Sequence, residues 1–154
     1  DHMKRGRCLI VLLAAALTLG ACGGKKQSVV YTLEQENDGL KMTDTMKLEA
    51  RGDSVEKMEE TISMDMAAFD EDTQKLMVEA YDSLVESYQA VDGVECTGTT
   101  TDSVYTIQIA IDTSGDTVAK LAEQGLLQVE GSADGISLEK TGQSLEAGGY
   151  TKTE

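Results

Sequence analysis

Residues 40–50, LKMTDTMKLEA, alternate between apolar and polar side chains with a period of two. In an extended strand, this period puts the apolar side chains on one face and most of the polar ones on the other. Residues 37–39, Asn-Asp-Gly, are typical of a hairpin turn immediately before this stretch. Residues 52–54, Gly-Asp-Ser, provide a second turn after it. The stretch is therefore predicted to be the middle strand of a three-stranded antiparallel meander.

The flanking segments alternate in the same way, and matching the apolar faces fixes the register of the three strands. A two-residue loop at the first turn sets Val29 opposite Leu48. A three-residue loop, Gly52-Asp53-Ser54, sets Met42 opposite Met64 at the second turn. With these pairings, all three apolar faces lie on the same side of the sheet.

Residues 70–91 change to a helical period, with apolar side chains recurring at i, i+1, i+4 and i+5. Acidic residues at 70–72 lie where the positive end of the helix dipole is expected. Alternation returns in residues 94–101 and 104–111, which are predicted to form a hairpin. That hairpin places Cys96 on the apolar face, so its thiol is expected to be buried and inert.

The remaining elements complete the predicted fold. A short helix is predicted at residues 116–124, and a last helix begins after Ser137 and ends at Gly148-Gly149. Residues 126–130 fit either a short strand or a packed loop. The order β-β-β-α-β-β-α-α predicts an α+β domain, with an antiparallel sheet of about five strands and helices on one face.

The N-terminus has the layout of a secretory signal peptide. Residues 1–2 precede the first methionine and are interpreted as a cloning scar. Three basic residues at positions 4–7 are then followed by an apolar run at residues 8–19 and two small residues. The run is shorter than the about 20 residues that a membrane-spanning helix needs.

Residues 19–22, Leu-Gly-Ala-Cys, resemble the lipobox of bacterial lipoproteins. In that motif, Leu19, Gly20 and Ala21 form the recognition site of the signal peptidase, and the thiol of Cys22 receives a diacylglyceryl lipid. The alternative interpretation, a free cysteine at the end of a core helix, does not account for the basic flank or for the small residues. Two acyl chains suffice for stable anchoring in a membrane.

This interpretation divides the chain into a signal peptide at residues 3–21, a lipidated tether at 22–28 and a single domain at 29–154. The chain has a formal charge of −15, and removal of residues 1–21 takes away one acidic and three basic residues, which leaves −17. Such an acidic domain is unsuited to nucleic acid, because it cannot displace the counterions of the phosphates. The expected partners are the membrane, through the lipid, and an envelope protein.

Composition argues against most catalytic machinery. The only histidine is His2, in the cloning scar, so the processed chain has no imidazole for a catalytic triad or for zinc. Cys96 becomes the only cysteine without a lipid, so no disulfide within the domain is expected. No serine or cysteine has a recognisable base partner, and no glycine-rich phosphate-binding motif is present. The chain is therefore predicted not to be an enzyme and to have no cofactor beyond the covalent lipid.

Asp44 and Glu60 lie on the apolar side of the predicted meander, as diagonal neighbours on adjacent strands. Two carboxylates about 7–8 Å apart at Cα are candidates for holding a cation such as Ca²⁺ or for acting as an acid and a base. The alternative is that the helices leave this end of the sheet uncovered, so that both carboxylates are hydrated. The sequence favours hydration, and a metal site is not predicted.

Two further patterns have both a functional and a structural interpretation. Thioethers suit Cu(I), but the spacing of six methionines is that of a sheet face and favours core packing. Residues 112–116, Asp-Thr-Ser-Gly-Asp, partly match a calcium-binding loop but lack the glycine that it needs at residue 117. A strand-to-helix turn with Asp116 as the cap is favoured instead. The six methionines are Met42, Met46, Met58, Met64, Met66 and Met77.

The order of these features resembles the YehR-like small lipoproteins of bacteria. The similarity includes the lipobox at Cys22, the three leading strands, the long helix with Gln74-Lys75 and Tyr81, and the strand entry at residues 93–95. It continues to the closing stretch at residues 145–150. The family has no assigned reaction or ligand, so the resemblance implies a fold and a location only.

The expected function is that of a membrane-anchored extracytoplasmic module that binds a protein or an envelope component. The alternative is an accessory lipoprotein that binds a small ligand or a divalent cation. An open sheet edge or an exposed apolar patch favours the first, and an enclosed pocket with convergent carboxylates favours the second. A hydrolase with paired carboxylates, the third hypothesis, requires both groups in a cleft with one displaced pKa.

Overall fold

The computed structural model describes residues 13–16, 24–130 and 135–153. In this part of the chain the helices are α1 (Glu71–Gln89), α2 (Thr117–Glu123) and α3 (Leu138–Ala147). The strands are β1 (Leu13–Ala16), β2 (Lys26–Asn37), β3 (Leu40–Arg51), β4 (Ser54–Asp65), β5 (Val94–Thr101), β6 (Val104–Asp112), β7 (Leu127–Glu130) and β8 (Thr151–Lys152). Six of them form one antiparallel sheet in the order β5-β6-β4-β3-β2-β8. The predicted α+β class is confirmed.

The hairpin of β2 and β3 has the predicted register, with Val29 opposite Leu48. Its loop residues Asp38 and Gly39 both have positive φ angles, 52° and 92°. A tight loop between right-twisted strands requires two such angles, and an Asp-Gly pair tolerates them well. The loop therefore fixes which face of each strand is turned toward the core.

The turn between β3 and β4 differs from the prediction. A three-residue loop is wrong, because Arg51 pairs with Ser54 and leaves only two residues between the strands. A register shift at Glu49/Ala50 marks a β-bulge that adds one residue to β4. The shorter loop and the bulge compensate, so Met42 lies opposite Met64 as predicted.

The predicted long helix and the second hairpin are also confirmed. Asp70 caps α1 by accepting a hydrogen bond from the Thr73 amide at 2.7 Å. The buried face of α1 carries Tyr81, Val85 and Tyr88 and packs on β5. In the hairpin of β5 and β6, Cys96 lies opposite Ile109 and is buried, as expected.

The C-terminal third contains the two predicted helices and one strand that the sequence did not reveal. Asp116 holds the N-cap position of α2, but its side chain makes no capping hydrogen bond and instead lies 3.7 Å from the Lys120 ammonium. The ambiguous residues 126–130 include the strand β7. The two-residue strand β8 pairs with Tyr31 and Thr32 of β2, which makes the sheet six-stranded. A strand of two residues is too short to produce a recognisable period.

The core lies between one face of the sheet and the helices. The five strand-region methionines are at most 3% exposed, and Met77 of α1 packs against the same cluster. This placement fits the packing interpretation of the methionines, because Met adapts to irregular gaps in a core. Their thioethers fill the space under the helices.

The close contact between β5 and the ring of Tyr105 leads to a stability prediction. A Cβ added at Gly98 would collide with the Tyr105 hydroxyl and lie 2.9 Å from Cγ2 of Val85. We expect Gly98→Ala to lower the free energy of unfolding by about 1–3 kcal/mol, because overpacking forces neighbours from their positions. Urea unfolding measures the change. Thr100→Ala, at an exposed position of the same strand, is the control and should change it by less than about 0.5 kcal/mol.

Candidate functional site: a buried carboxyl pair

The two acidic residues that stand out in the sequence lie on the central strands of the sheet. Asp44 of β3 pairs with Ile62, and Glu60 of β4 pairs with Met46. The two acids are therefore diagonal neighbours on the same face, as predicted. The register of the meander brings them together.

The prediction that both carboxylates are hydrated is wrong. Asp44 is 0% exposed and Glu60 is 2% exposed, among apolar side chains of the core. The cover comes partly from the chain after α3, where the Tyr150 hydroxyl donates a hydrogen bond to Oδ2 of Asp44. Tyr150 is itself buried. The C-terminal segment thus closes over the end of the sheet that was expected to be open.

Hydrogen bonding is incomplete if both acids are ionised. Oδ1 of Asp44 and both carboxyl oxygens of Glu60 then have no donor in the described part of the chain. A buried carboxylate without donors is strongly unfavourable. A proton on one member changes this, because a protonated carboxyl can donate to its neighbour.

The electrostatics assign that proton to Glu60. Burial raises the pKa of Glu60 well above its usual range, and the negative charge of Asp44 and a hydrogen bond to it raise this pKa further. Burial also raises the pKa of Asp44, but hydrogen bonds from Glu60 and Tyr150 oppose that shift. Ionising both of two adjacent buried carboxyls has a high free-energy cost. Of the two groups, Glu60 therefore holds its proton more strongly, and its protonated carboxyl can donate a hydrogen bond to Asp44.

The neighbours of the pair are weak acids that remain protonated. Tyr88 of α1 donates a hydrogen bond to the Leu126 carbonyl at 2.7 Å, and burial together with the charge of the pair raises its pKa. Burial raises the pKa of Cys96 to about 11, so the thiol is not ionised at neutral pH. A neutral buried thiol is a poor nucleophile and metal ligand.

The arrangement suits proton sharing better than metal binding. Asp44 and Glu60 come together as the cation hypothesis requires, but among the described residues no group of three or more His, Cys, Asp or Glu side chains could hold a metal ion. Calcium takes six to eight oxygen ligands, whereas this pair is enclosed by apolar side chains. The loop at residues 112–116 is a turn, in which Oδ1 of Asp112 accepts from the Ser114 amide at 2.9 Å.

The predicted lipid site lies outside the described residues, because Leu19, Gly20, Ala21 and Cys22 all fall in an undescribed segment. The first strand of the sheet begins at Lys26, earlier than the predicted domain start at residue 29. None of the described helices is both long enough and apolar enough to cross a membrane.

The fold and the buried pair together define a small α+β domain with one antiparallel sheet and an acid pair in its core. Residues 27–151 match the model of a family described as a protein of unknown function, DUF1307. The chain belongs to this family.

Two similar proteins share nearly the whole length of the chain. The chain is 28% identical over 158 residues to the uncharacterized lipoprotein Lmo0207 of Listeria monocytogenes, across 96% of this chain and 95% of that protein. It is 24% identical over 159 residues to the uncharacterized lipoprotein Lin0239 of Listeria innocua, across 99% and 97%.

A solved structure shares the fold. The NMR structure of the Escherichia coli YehR protein matches with a TM-score of 0.59 and 20% identity, over 86% of this chain and 94% of that one. The similarity to the YehR-like family that the sequence predicts is confirmed, as is the absence of an assigned function in the matching family.

Proposed function

We propose that this protein is a lipid-anchored extracytoplasmic module that binds another protein or an envelope component and catalyses no reaction. The observation that carries the proposal is the short link between Cys22 and the folded domain. The Lys25 carbonyl already accepts a hydrogen bond from the Gly52 amide at 2.8 Å. The link between Cys22 and Lys25 can therefore span at most roughly 10 Å.

Such a link holds one end of the sheet beside the membrane. Asp53 lies at that end, where its carboxylate accepts hydrogen bonds from the Ser137 hydroxyl at 2.6 Å and from the Glu139 amide at 2.9 Å. The hairpin loop at Asp38 lies at the other end of a twelve-residue strand, about 40 Å away. The Listeria lipoproteins align along almost the entire chain, which supports an anchor of the same kind here.

An open edge of the main sheet supports a binding role. The Cys96 carbonyl of the edge strand β5 accepts a hydrogen bond from Nε2 of Gln89 at 2.8 Å, on the side away from β6. Backbone groups alternate in direction along a strand, so those of Gly98 and Thr100 also point outward. They have no partner among the described residues, and unpaired edges are templates for strand pairing.

The alternative, a binding protein for a small ligand or a divalent cation, needs accessible convergent carboxylates. Asp44 and Glu60 are buried, so they are not accessible to such a ligand. The open edge of β5 therefore supports a protein partner better than the buried pair supports a small ligand or a cation. The hydrolase hypothesis needs the same two groups in a cleft, and the burial of both argues against it.

Labelling with radioactive palmitate in a host that processes lipoproteins tests the anchor. We expect the wild-type chain to incorporate label, and Cys22→Ser to abolish incorporation and to leave the leader uncleaved. Cys96→Ser is the matched control and should be labelled like the wild type, because its thiol is buried in the domain. Label that persists in Cys22→Ser would contradict the assignment of the lipid site.

Crosslinking of the lipidated protein in intact cells tests the binding role. We expect a defined envelope protein or complex to be recovered with the wild type and to be lost with Cys22→Ser. Recovery of a solute transporter alone would favour the accessory ligand-binding alternative. Turnover of an envelope substrate by the purified protein would contradict a non-catalytic module.

A further inference from the structure

The strand β7 stands apart from the six-stranded sheet. Its one strand partner among the described residues is β1, which pairs with it in parallel from Leu13 opposite Leu127 to Ala16 opposite Glu130. Helix α3 lies against β1. An extended segment of sequence Leu-Ala-Ala-Ala is thus seated between the edge of β7 and α3.

The occupant of this position belongs to the predicted signal peptide at residues 3–21. Cleavage before Cys22 therefore removes β1 and leaves the position beside α3 empty. The backbone N–H and C=O groups of β7 that face β1 lose their partners, and such groups normally find others. Leu126 and Leu127, at the start of β7, belong to the apolar core cluster and fix that end of the strand in the domain.

We propose that the edge of β7 vacated by β1 is a docking site for an extended, uncharged segment of a partner protein, which adds to β7 as a parallel strand. The proposal rests on the proposed function and names the chemistry of the partner. The segment beside α3 indicates what the site accepts: it is an extended strand, paired in parallel with β7, and its sequence Leu-Ala-Ala-Ala carries no charge. The open edge of β5 has no such occupant.

The hydrogen-bonding requirement distinguishes this partner from a lipid chain. An acyl chain offers no donors or acceptors to the backbone of β7. A strand supplies both, as in other cases of strand addition. The processed domain carries a charge of −17, which disfavours an acidic segment at this site.

Peptide titration of the processed chain provides the test. Residues 22–154 with Cys22→Ser are labelled with ¹⁵N and titrated with a synthetic peptide of residues 10–18 that carries a short lysine tail for solubility. We expect saturable shifts of the backbone amides of residues 127–130 and of α3, with the central strands unaffected. Shifts elsewhere, or no saturable binding, would overturn the proposal.

Two peptides N-methylated at Ala14 or at Ala15 are the matched controls. Successive amides of a strand point to opposite sides, so only one of the two methyl groups blocks a hydrogen bond to β7. We expect one peptide to lose at least about tenfold in affinity, the effect of 1.4 kcal/mol, and the other to bind like the parent. Equal binding of the two N-methylated peptides would refute strand docking. A processed chain in which β7 pairs with its own residues or with a second copy would refute it as well. A crosslinked partner recovered without peptide binding would leave the proposed function standing while this inference fails.

Discussion

Glu60→Gln is expected to remove most of the pH dependence of the unfolding free energy between about pH 6, where exposed carboxyls are already ionised, and the raised pKa of Glu60. Glutamine has the shape of the protonated glutamic acid and can donate a hydrogen bond to Asp44, but it cannot ionise. In the wild type, the raised pKa of Glu60 means that the folded protein binds a proton more tightly than the unfolded chain does. The variant lacks this difference.

The sign follows from linkage. The pKa of Glu60 is raised above the value of 4.5 that applies to an unperturbed side chain. Between that value and the raised one, the folded state holds more protons than the unfolded state, so stability falls as pH rises. The slope reaches at most about 1.4 kcal/mol per pH unit. Below this window Glu60 makes no pH-dependent contribution, and above it the full penalty of an ionised buried carboxylate remains.

Few other groups in the chain change their ionisation in this pH range. Residues 22–154 contain no histidine, exposed carboxyls are already ionised above about pH 6, and burial raises the pKa of Cys96 to about 11. Urea unfolding at a series of pH values measures the slope. Glu59→Gln, on the same strand but partly exposed and paired with Lys57 at 3.1 Å, is the matched control and should keep the wild-type slope. A Glu60→Gln variant that loses stability as steeply as the wild type would show that Glu60 is not the titrating group.

Much of the fold follows from local sequence, because strand register depends on a period of two and on turn residues. The pairing of Val29 with Leu48 is an example: an Asp-Gly loop and matched apolar faces leave few alternatives. The error in the predicted loop length at residues 52–54 has a different cause. A bulge and a shorter loop give the same pairing of side chains downstream, so the pattern of apolar residues cannot distinguish them.

The candidate site was predictable only in part. Its two members are neighbours because of register, which local patterning determines. The burial of Asp44 depends in part on Tyr150, which is separated from it by 106 positions in the sequence. The strand β8 that follows Tyr150 has two residues and no period of its own. Whether a carboxyl on a sheet face is hydrated or enclosed is therefore decided by long-range packing, which the pattern of a single strand does not encode.

Tyr150→Phe is expected to lower the free energy of unfolding by about 1.5–3 kcal/mol at pH values where Asp44 is ionised, the range for hydrogen bonds to charged groups. The substitution keeps the ring in the core and removes the donor to Oδ2 of Asp44. Asp44 then keeps only the hydrogen bond from Glu60. Because the bond from Tyr150 lowers the pKa of Asp44, its loss raises that pKa further, and the cost should shrink at acidic pH, where Asp44 is protonated.

Tyr81→Phe is the matched control for this prediction. Both tyrosines are buried, but the Tyr81 hydroxyl has no hydrogen-bond partner in the described part of the chain. Removing a buried hydroxyl that has no partner relieves a desolvation cost, so Tyr81→Phe should be neutral or stabilising. Urea unfolding of both variants at neutral and acidic pH measures the contrast. Equal losses in the two variants would mean that the hydrogen bond from Tyr150 to Asp44 adds no stability of its own.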